Sequence, residues 1–332
     1  MTFVTVYDDI DTPKYKQIVQ SIENAIALKQ LKKGDKLPSI NDIRNEFGLS
    51  RDTILMAFNE LKMRGIVHSV AGKGYFLKSE DLGVSQKVFL LFDELNAFKE
   101  DLYNSFLKEM KDDVQVDIFF HHFNYDLFTK LIYDNIGQYN YYVIMPANFK
   151  NTAEVLEKLP HEKVYILDQT NDELKQYPGV FQNFEKDILK SLKQALVHIN
   201  KYEKLILLFP NQKQPEGMLK GFQQFKKELH ISHDVISTLD NRNPKKGEVY
   251  LVLDDQHLII LIKKIKAAKL KTGGDVGIIS YNDTLLKEVV EDGITTISTD
   301  FKIMGKRLAT MIKHSEKLQI ENPNYLIMRN SL

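Results

Sequence analysis

The sequence has no cysteine among its 332 residues, which excludes a disulfide framework and a thiolate metal site and fits a reducing, cytoplasmic setting. No stretch approaches 18 uncharged apolar residues, so no membrane span is expected. The opening MTFVTVYDDIDTPKYK has neither a basic start nor an apolar core, so no signal peptide is expected. Catalytic motifs are missing as well: there is no G-x-G-x-x-G after a strand, no P-loop and no nucleophile elbow. TGGDVG precedes an apolar strand instead of following one, the wrong order for a dinucleotide site. His230-x-x-His233 has no carboxylate motif around it, and His121 and His122 point oppositely if extended. No metal or cofactor is therefore expected, and no enzyme activity. Formal net charge is zero, with 45 basic and 45 acidic residues.

Hydrophobic content of 43% beside 27% charged residues is the balance of a globular protein, and the length suits two or three domains. The charge is unevenly placed: between Pro13 and Lys78, 12 Lys and Arg stand against 6 Asp and Glu. The same segment carries three helical repeats. Tyr15, Ile18, Val19, Ile22 and Ile26 recur at helical spacing after Pro13, which fits a first turn. Ser39 can cap a second helix lined by Ile40, Ile43 and Phe47 and ended by Gly48. Ser50 can cap a third, with Ile54, Ala57, Phe58 and Leu61 as its buried stripe. A hairpin over 66–77 follows, with Ala-Gly-Lys-Gly at its tip, and makes the helix-turn-helix winged.

A helix entering a major groove needs backbone grips beside it, and a glycine-rich tip approaches phosphates where a Cβ would clash. Arg51 and Thr53 fall in the first turn of the third helix, where a recognition helix reaches base edges. Arg51 could pair bidentately with guanine; Thr53 could bond a phosphate or meet a thymine methyl. Lys73, between Gly72 and Gly74, would reach the backbone or a neighbouring minor groove. A serine cap and a tight hairpin also occur in any α+β protein. Their order and spacing here, over KKGDKLPSINDIRNEFGLSRDTILMAFNELKMRGIVHSVAGKGYFL, resemble the winged helix-turn-helix of the GntR family of bacterial regulators. The resemblance implies operator DNA as partner and Ser39, Asn41, Ser50, Arg51, Thr53, Gly72, Lys73 and Gly74 as the DNA-binding set. Two positions depart from the family pattern: Asn41 stands where it has arginine, and Leu55 where it has a second basic residue. The operator sequence therefore cannot be borrowed from relatives.

The expected organisation is a winged head over 1–78, a polar linker over 79–85 and an α/β body over 86–332. The runs VFLLF, VDIFF, YYVIM, VYIL, LILLF, VYLVL and VGIIS alternate with amphipathic helical stretches. Uninterrupted apolar strands are buried on both faces, which means parallel sheets covered by helices. At least seven of them predict two doubly wound lobes with a cleft between. Polar residues follow the strands: Asp93, His121 and His122, Asp168, Asp254 and Asp255, Asn282 and Asp283. Ligands of open α/β sheets bind at these carboxyl ends, although an Asp or Asn there also serves as a turn former or cap. Aromatic residues near the ends, Phe98, Phe123 and Tyr125, serve a cleft or a core equally well.

GDVGIISYNDTLLKEVVEDGITTISTDFKIMGKRLATMI and the closing NYLIMRNSL resemble the sensor domain of the LacI/GalR repressors, of type I periplasmic-binding-protein fold. VYILDQ, EGMLKGFQQFKKEL and VYLVLDDQ fall in the same register. A GntR head on such a sensor is similar to the arabinose-type repressors. The resemblance implies a monosaccharide-like effector on Asp168, Asn183, Asp254 and Asn282, to which the strand ends and nearby aromatics add Asp93, His122 and Phe98. Met218 stands where the family has its cleft arginine. Either the ligand is less hydroxylated on that side, as a deoxy sugar is, or Glu216 or another residue takes over. A nucleotide or phosphorylated metabolite remains the alternative effector, and an enzyme on the same body the alternative function. A palindromic operator calls for a homodimer, with HLIILIKKIKAAKL and TLLKEVVEDG as the expected contact.

Overall fold

The apolar stripes of the first 78 residues bury against one another in a computed structural model, which describes residues 3–80, 82, 86–110, 114–210, 213–228 and 231–332. Linker residues 81 and 83–85 and His230 of the proposed histidine pair lie outside the described residues. The chain divides into two units: Met1–Val88 with 112–117 and 133–140, and the remainder to Leu332. Among the described residues, no helix is long and apolar enough to cross a membrane.

In the head, α1 (Lys14–Ala27) starts one residue after Pro13, as the first-turn proline requires. α2 (Ile40–Phe47) opens on a capping box, in which Ser39 accepts from Asp42 N and the Asp42 side chain accepts from Ser39 N. Gly48 closes α2 in the left-handed conformation, at φ 65°. α3 (Arg51–Met63) follows, and β1 (Val67–Val70) pairs antiparallel with β2 (Gly74–Leu77) to form the wing. Ile18, Ile22, Ile43, Ile54, Ala57, Phe58 and Leu61 are fully buried, the core that the helical spacing predicts. Tyr75 of the wing stacks on Phe58 at 4.3 Å between centroids and ties the hairpin to α3.

The body continues as β3 (Gln86–Phe92), α4 (Ala97–Met110), β4 (Val114–Phe120), α5 (Tyr125–Asp134), β5 (Tyr141–Ile144), α6 (Thr152–Leu156), β6 (Val164–Asp168) and β7 (Gly179–Phe181). Then come α7 (Phe184–Ile199), β8 (Lys204–Leu208), α8 (Glu216–Phe225), β9 (Ser232–Ile236), β10 (Glu248–Val252), α9 (Asp255–Ala267) and β11 (Val276–Tyr281). The last elements are α10 (Leu285–Val289), β12 (Thr295–Thr299), α11 (Phe301–Lys313), β13 (Gln319–Glu321) and β14 (Asn324–Ile327). The strands form two six-stranded sheets, ordered β4-β3-β5-β6-β7-β13 and β9-β8-β10-β11-β12-β14. Pairing is parallel from β9 through β12, and β14 closes that edge antiparallel. Central strands such as β6 and β10 are buried at every position, as uninterrupted apolar runs require. β4 lies at a sheet edge and is only half-buried along its length, so VDIFF is less covered than its composition suggests.

The chain passes between the two sheets three times: from β7 into α7, from β12 into α11, and from β13 to β14. α11 returns to pack on α4, where Gly305 sits so close that a Cβ would lie 2.2 Å from the Leu102 carbonyl oxygen. The twofold switch of strand order leaves the carboxyl ends of β3, β6, β10 and β11 around one cavity.

Candidate functional site

Two regions carry the residues singled out in the sequence. In the head, Ser50 accepts from Thr53 N at 3.1 Å and its hydroxyl meets that of Thr53 at 2.8 Å, which fixes the first turn of α3. Ser39 does the same work for α2, so both serines position the helices and their hydroxyls are already engaged. Asn41 and Arg51 are exposed, and Arg51 has no ion-pair partner among the described residues. Leu55 is half-buried, whereas Met56 is 53% exposed on the face that also carries Arg51, Asp52 and Asn59. Met56 and Asn59 were not singled out in the sequence, although helical spacing from Arg51 and Asp52 points to both. At the wing tip Lys73 is exposed, its N–H donating to Val70 O at 3.0 Å. Gly72 and Gly74 adopt φ of 72° and 106°, and nothing lies within 4 Å of where a Gly72 Cβ would stand. The tip is thus held by backbone hydrogen bonding and open to close approach.

In the body, a cavity of about 610 Å³ is lined by Asp93, Phe98, Asp168, Met218, Asp254 and Asn282, six of the eight residues expected there. That volume suits a small ligand of sugar size. His122 and Asn183 do not line it. After β4 the chain turns left-handed, with φ of 50° at His122 and 57° at Phe123, so that His122 is exposed and Phe123 faces the cavity. The extended geometry assumed for the two histidines is therefore replaced by a turn. Asn183 caps α7, accepting from Lys186 N at 3.3 Å while its Nδ2 donates to Glu321 at 3.1 Å. Its amide is consumed at the crossing from the first sheet to the second. Glu216 is exposed at the start of α8 and lies outside the lining, so it does not replace the absent arginine.

His121 is fully buried. Phe123 N–H donates to its Nδ1 at 3.2 Å, which leaves Nε2 to donate to the Met145 carbonyl at 3.1 Å. Burial pulls its pKa down to about 4, so it stays neutral and works as a brace for the turn bearing Phe123. Asn282 follows β11 at φ 59° and is held by its neighbours. The buried ammonium of Lys287 donates to the Tyr281 and Asn282 carbonyls at 2.8 and 2.7 Å. Arg329 binds Asp283 bidentately at 2.6 and 2.8 Å, so Asp283 serves the loop and not the cavity.

Sequence inspection missed several lining residues: Lys99, Gln182, Lys213, Tyr281 and Phe301. Lys99 is buried beside Asp93, and desolvation lowers its pKa to about 8. The Tyr281 phenol is held protonated by burial and donates to Gln182 Oε1 at 3.0 Å; Gln182 Nε2 in turn donates to Asp168 Oδ1. Phe98 stacks on Phe301 at 4.7 Å between centroids. Lys213 lies 5.0 Å from the Phe123 ring centre and 3.3 Å from Glu94. The cavity can therefore offer carboxylates and amides to hydroxyls or amines, and flat aromatic faces to C–H surfaces.

Close to the sheet crossing, Asp187 in the first turn of α7 is buried, with its Oδ2 lacking a hydrogen-bond partner among the described residues. Desolvation, aided by the Glu321 charge, raises its pKa to about 7. The folded chain thus holds this proton more tightly than the unfolded chain. The stability it contributes is full below about pH 4 and is lost as pH rises towards 7, by up to about 1.4 kcal/mol per pH unit. Asp187→Asn should therefore melt progressively higher than the parent as pH is raised from 5 to 8. A melting difference that is constant over that range would show that Asp187 does not titrate as its burial demands.

Comparison with known proteins adds to this geometry. Residues 14–77 match the family described as bacterial regulatory proteins, gntR family, and residues 198–326 match the periplasmic binding protein-like domain. The mannosyl-D-glycerate transport/metabolism system repressor MngR of Escherichia coli is 37% identical over 82 residues, 25% of this chain and 34% of that protein. The arabinose metabolism transcriptional repressor of Geobacillus stearothermophilus is 38% identical over 65 residues, 20% of this chain and 18% of that protein. The chain thus spans about a third or less of the length of these two relatives. Among solved structures, a dimeric Lac repressor with a C-terminal deletion aligns at TM-score 0.62 and 14% identity, over 74% of this chain and 98% of that one. A LacI family regulator from Silicibacter pomeroyi aligns at TM-score 0.62 and 12% identity, over 74% and 98%. Each of these proteins is a regulator of transcription and none is an enzyme. The chain therefore joins a helix-turn-helix head that matches the gntR family over residues 14–77 to a two-lobed body that matches the periplasmic binding protein-like domain over residues 198–326 and shares its fold with LacI-type repressors.

Proposed function

We propose that this chain is a ligand-responsive, DNA-binding regulator of transcription, a repressor of sugar-utilisation genes acting in the cytoplasm. The observation that carries the reading is the pairing of two features in one chain. The head presents Arg51 and Lys73 without ion-pair partners among the described residues, and the body holds a cavity lined with carboxylates, amides and aromatic rings. Arg51 reads a guanine edge, Lys73 grips the backbone, and Asp93, Phe98, Asp168, Met218, Asp254 and Asn282 meet a monosaccharide-like effector. A ligand shifts DNA affinity only if it binds one arrangement of the lobes better than another, and such coupling amounts to about 1–3 kcal/mol. The named relatives, repressors of arabinose metabolism and of mannosyl-D-glycerate use, support a sugar-related effector. The immobilised full chain should retain specific fragments of its own genomic DNA and release them to one sugar of a panel. Retention without sequence preference at physiological salt would remove the regulator reading.

The reading includes a homodimer. Leu285, Leu286 and Val289 of α10 are 83%, 59% and 73% exposed, and Ile259 of α9 is 46% exposed. Such apolar exposure on adjacent turns fits the isologous contact expected from HLIILIKKIKAAKL and TLLKEVVEDG. The full chain should sediment as a dimer at micromolar concentration, and Leu285→Glu with Val289→Glu should yield a monomer. A wild-type monomer would move dimerisation to the DNA itself.

A further inference from the structure

The cavity is lined by five carboxylates: Asp93, Glu94, Asp168, Asp254 and Asp255. Four of them face a cationic or imidazole partner. Asp93 binds Lys99, Glu94 lies 3.3 Å from Lys213, Asp254 lies 2.7 Å from His257, and Asp255 lies 2.8 Å from Lys287. Asp168 differs. It is 5% exposed, in left-handed backbone at φ 74°, and its hydrogen-bond partner is an amide, Gln182, itself held by Tyr281. Its Oδ2 accepts no hydrogen bond among the described residues. Lys99 also feels the Asp168 charge, but its ammonium is already bonded to Asp93. Two buried carboxylates thus share one cation, an arrangement one positive charge short. Next to Tyr281, Asn282 adds a buried Oδ1 with no donor among the described residues. Among the described residues the cavity thus holds two acceptor atoms without a donor, Asp168 Oδ2 and Asn282 Oδ1, and one buried carboxylate without a cation of its own.

We propose that the effector carries a protonated amine, as an amino sugar or amino polyol does, with its ammonium seated against Asp168. An ammonium brings three donors and no acceptor, and its bonds to a carboxylate are about twice as strong as neutral ones. A phosphate or carboxylate on the ligand would instead place a further anion among these acids, and no arginine is among the lining residues. This inference rests on reading the cavity as the effector site.

Calorimetric titration of the full chain at pH 7 tests it. The probes are glucose, galactose, mannose and arabinose, their amino-deoxy counterparts at each ring position, the N-acetyl forms of those amines, and the sugar phosphates. At least one amine should bind tenfold or more tightly than both its parent sugar and its N-acetyl form, and the phosphates should bind more weakly than the parents. In Asp168→Asn, checked for an unchanged fold by circular dichroism, that preference should fall below threefold. If a neutral sugar binds as tightly as every one of its amines, or a phosphate binds best, the amine inference is overturned while the effector site stands. Binding of none of the probes would overturn both.

Discussion

Replacing Arg51 by alanine should weaken operator binding by roughly 5- to 150-fold, the about 1–3 kcal/mol that a bidentate guanine contact supplies, and relax specificity at one base position. The expectation follows from its place in the first turn of α3, exposed and without an ion-pair partner among the described residues, beside a Ser50 cap that fixes the turn. Lys73→Ala should act differently. It should weaken binding to every duplex alike and reduce the slope of log affinity against log salt by about 1, as one lost phosphate contact does. The two variants thus separate reading from gripping. Fluorescence anisotropy titrations at several salt concentrations check both, and wild-type affinity in both variants would mean that this face does not meet DNA.

Asp254→Ala and Asn282→Ala should abolish the stabilisation that the effector confers. At a hundred times its dissociation constant a ligand adds about 2.7 kcal/mol to the folded state, so the loss is large in a melting experiment. Asp254 also caps α9, accepting from His257 N at 2.9 Å, so its alanine variant loses about 1 kcal/mol without any ligand. Asp254→Ser keeps an oxygen for the cap and isolates the effect on binding. Operator affinity without effector should stay near that of the parent in all three. Full effector stabilisation in Asp254→Ser and Asn282→Ala together would place the ligand elsewhere. Met218, 3% exposed and packed in the second lobe's core, also lines the cavity, so Met218→Arg should change which sugar is preferred.

The head was legible in the sequence because its signals are local. A serine cap, a left-handed glycine and an apolar residue every three or four positions each act within one turn of chain. The body's central strands were legible for a similar reason, since burial on both faces leaves only apolar residues. The three crossings between sheets were not. β13 and β14 are three and four residues long, and nothing in QIE or NYLI says that they join different sheets. The cavity was read in part. Strand ends pointed to Asp93, Asp168, Asp254 and Asn282, because a parallel sheet brings those ends together. His122 was misplaced because the left-handed turn after β4 swaps its direction with that of Phe123. Asn183 was misplaced because a helix cap consumed its side chain. Lys99 escaped notice for another reason. A lysine inside an amphipathic helix looks solvated in sequence, and only the fold lays it beside Asp93.

The central claim is that one chain reads DNA with its head and answers to a small molecule in its body. It is tested most directly by measuring the affinity of the full chain for its recovered operator and for a scrambled duplex, across salt, with and without saturating effector. The predicted result is a preference for the operator, an affinity for both duplexes that falls linearly on a log–log salt plot, and an effector-induced change in operator affinity of about 5- to 150-fold. Equal affinity for operator and scrambled duplex, or an operator affinity unmoved by an effector that demonstrably binds the body, would contradict it.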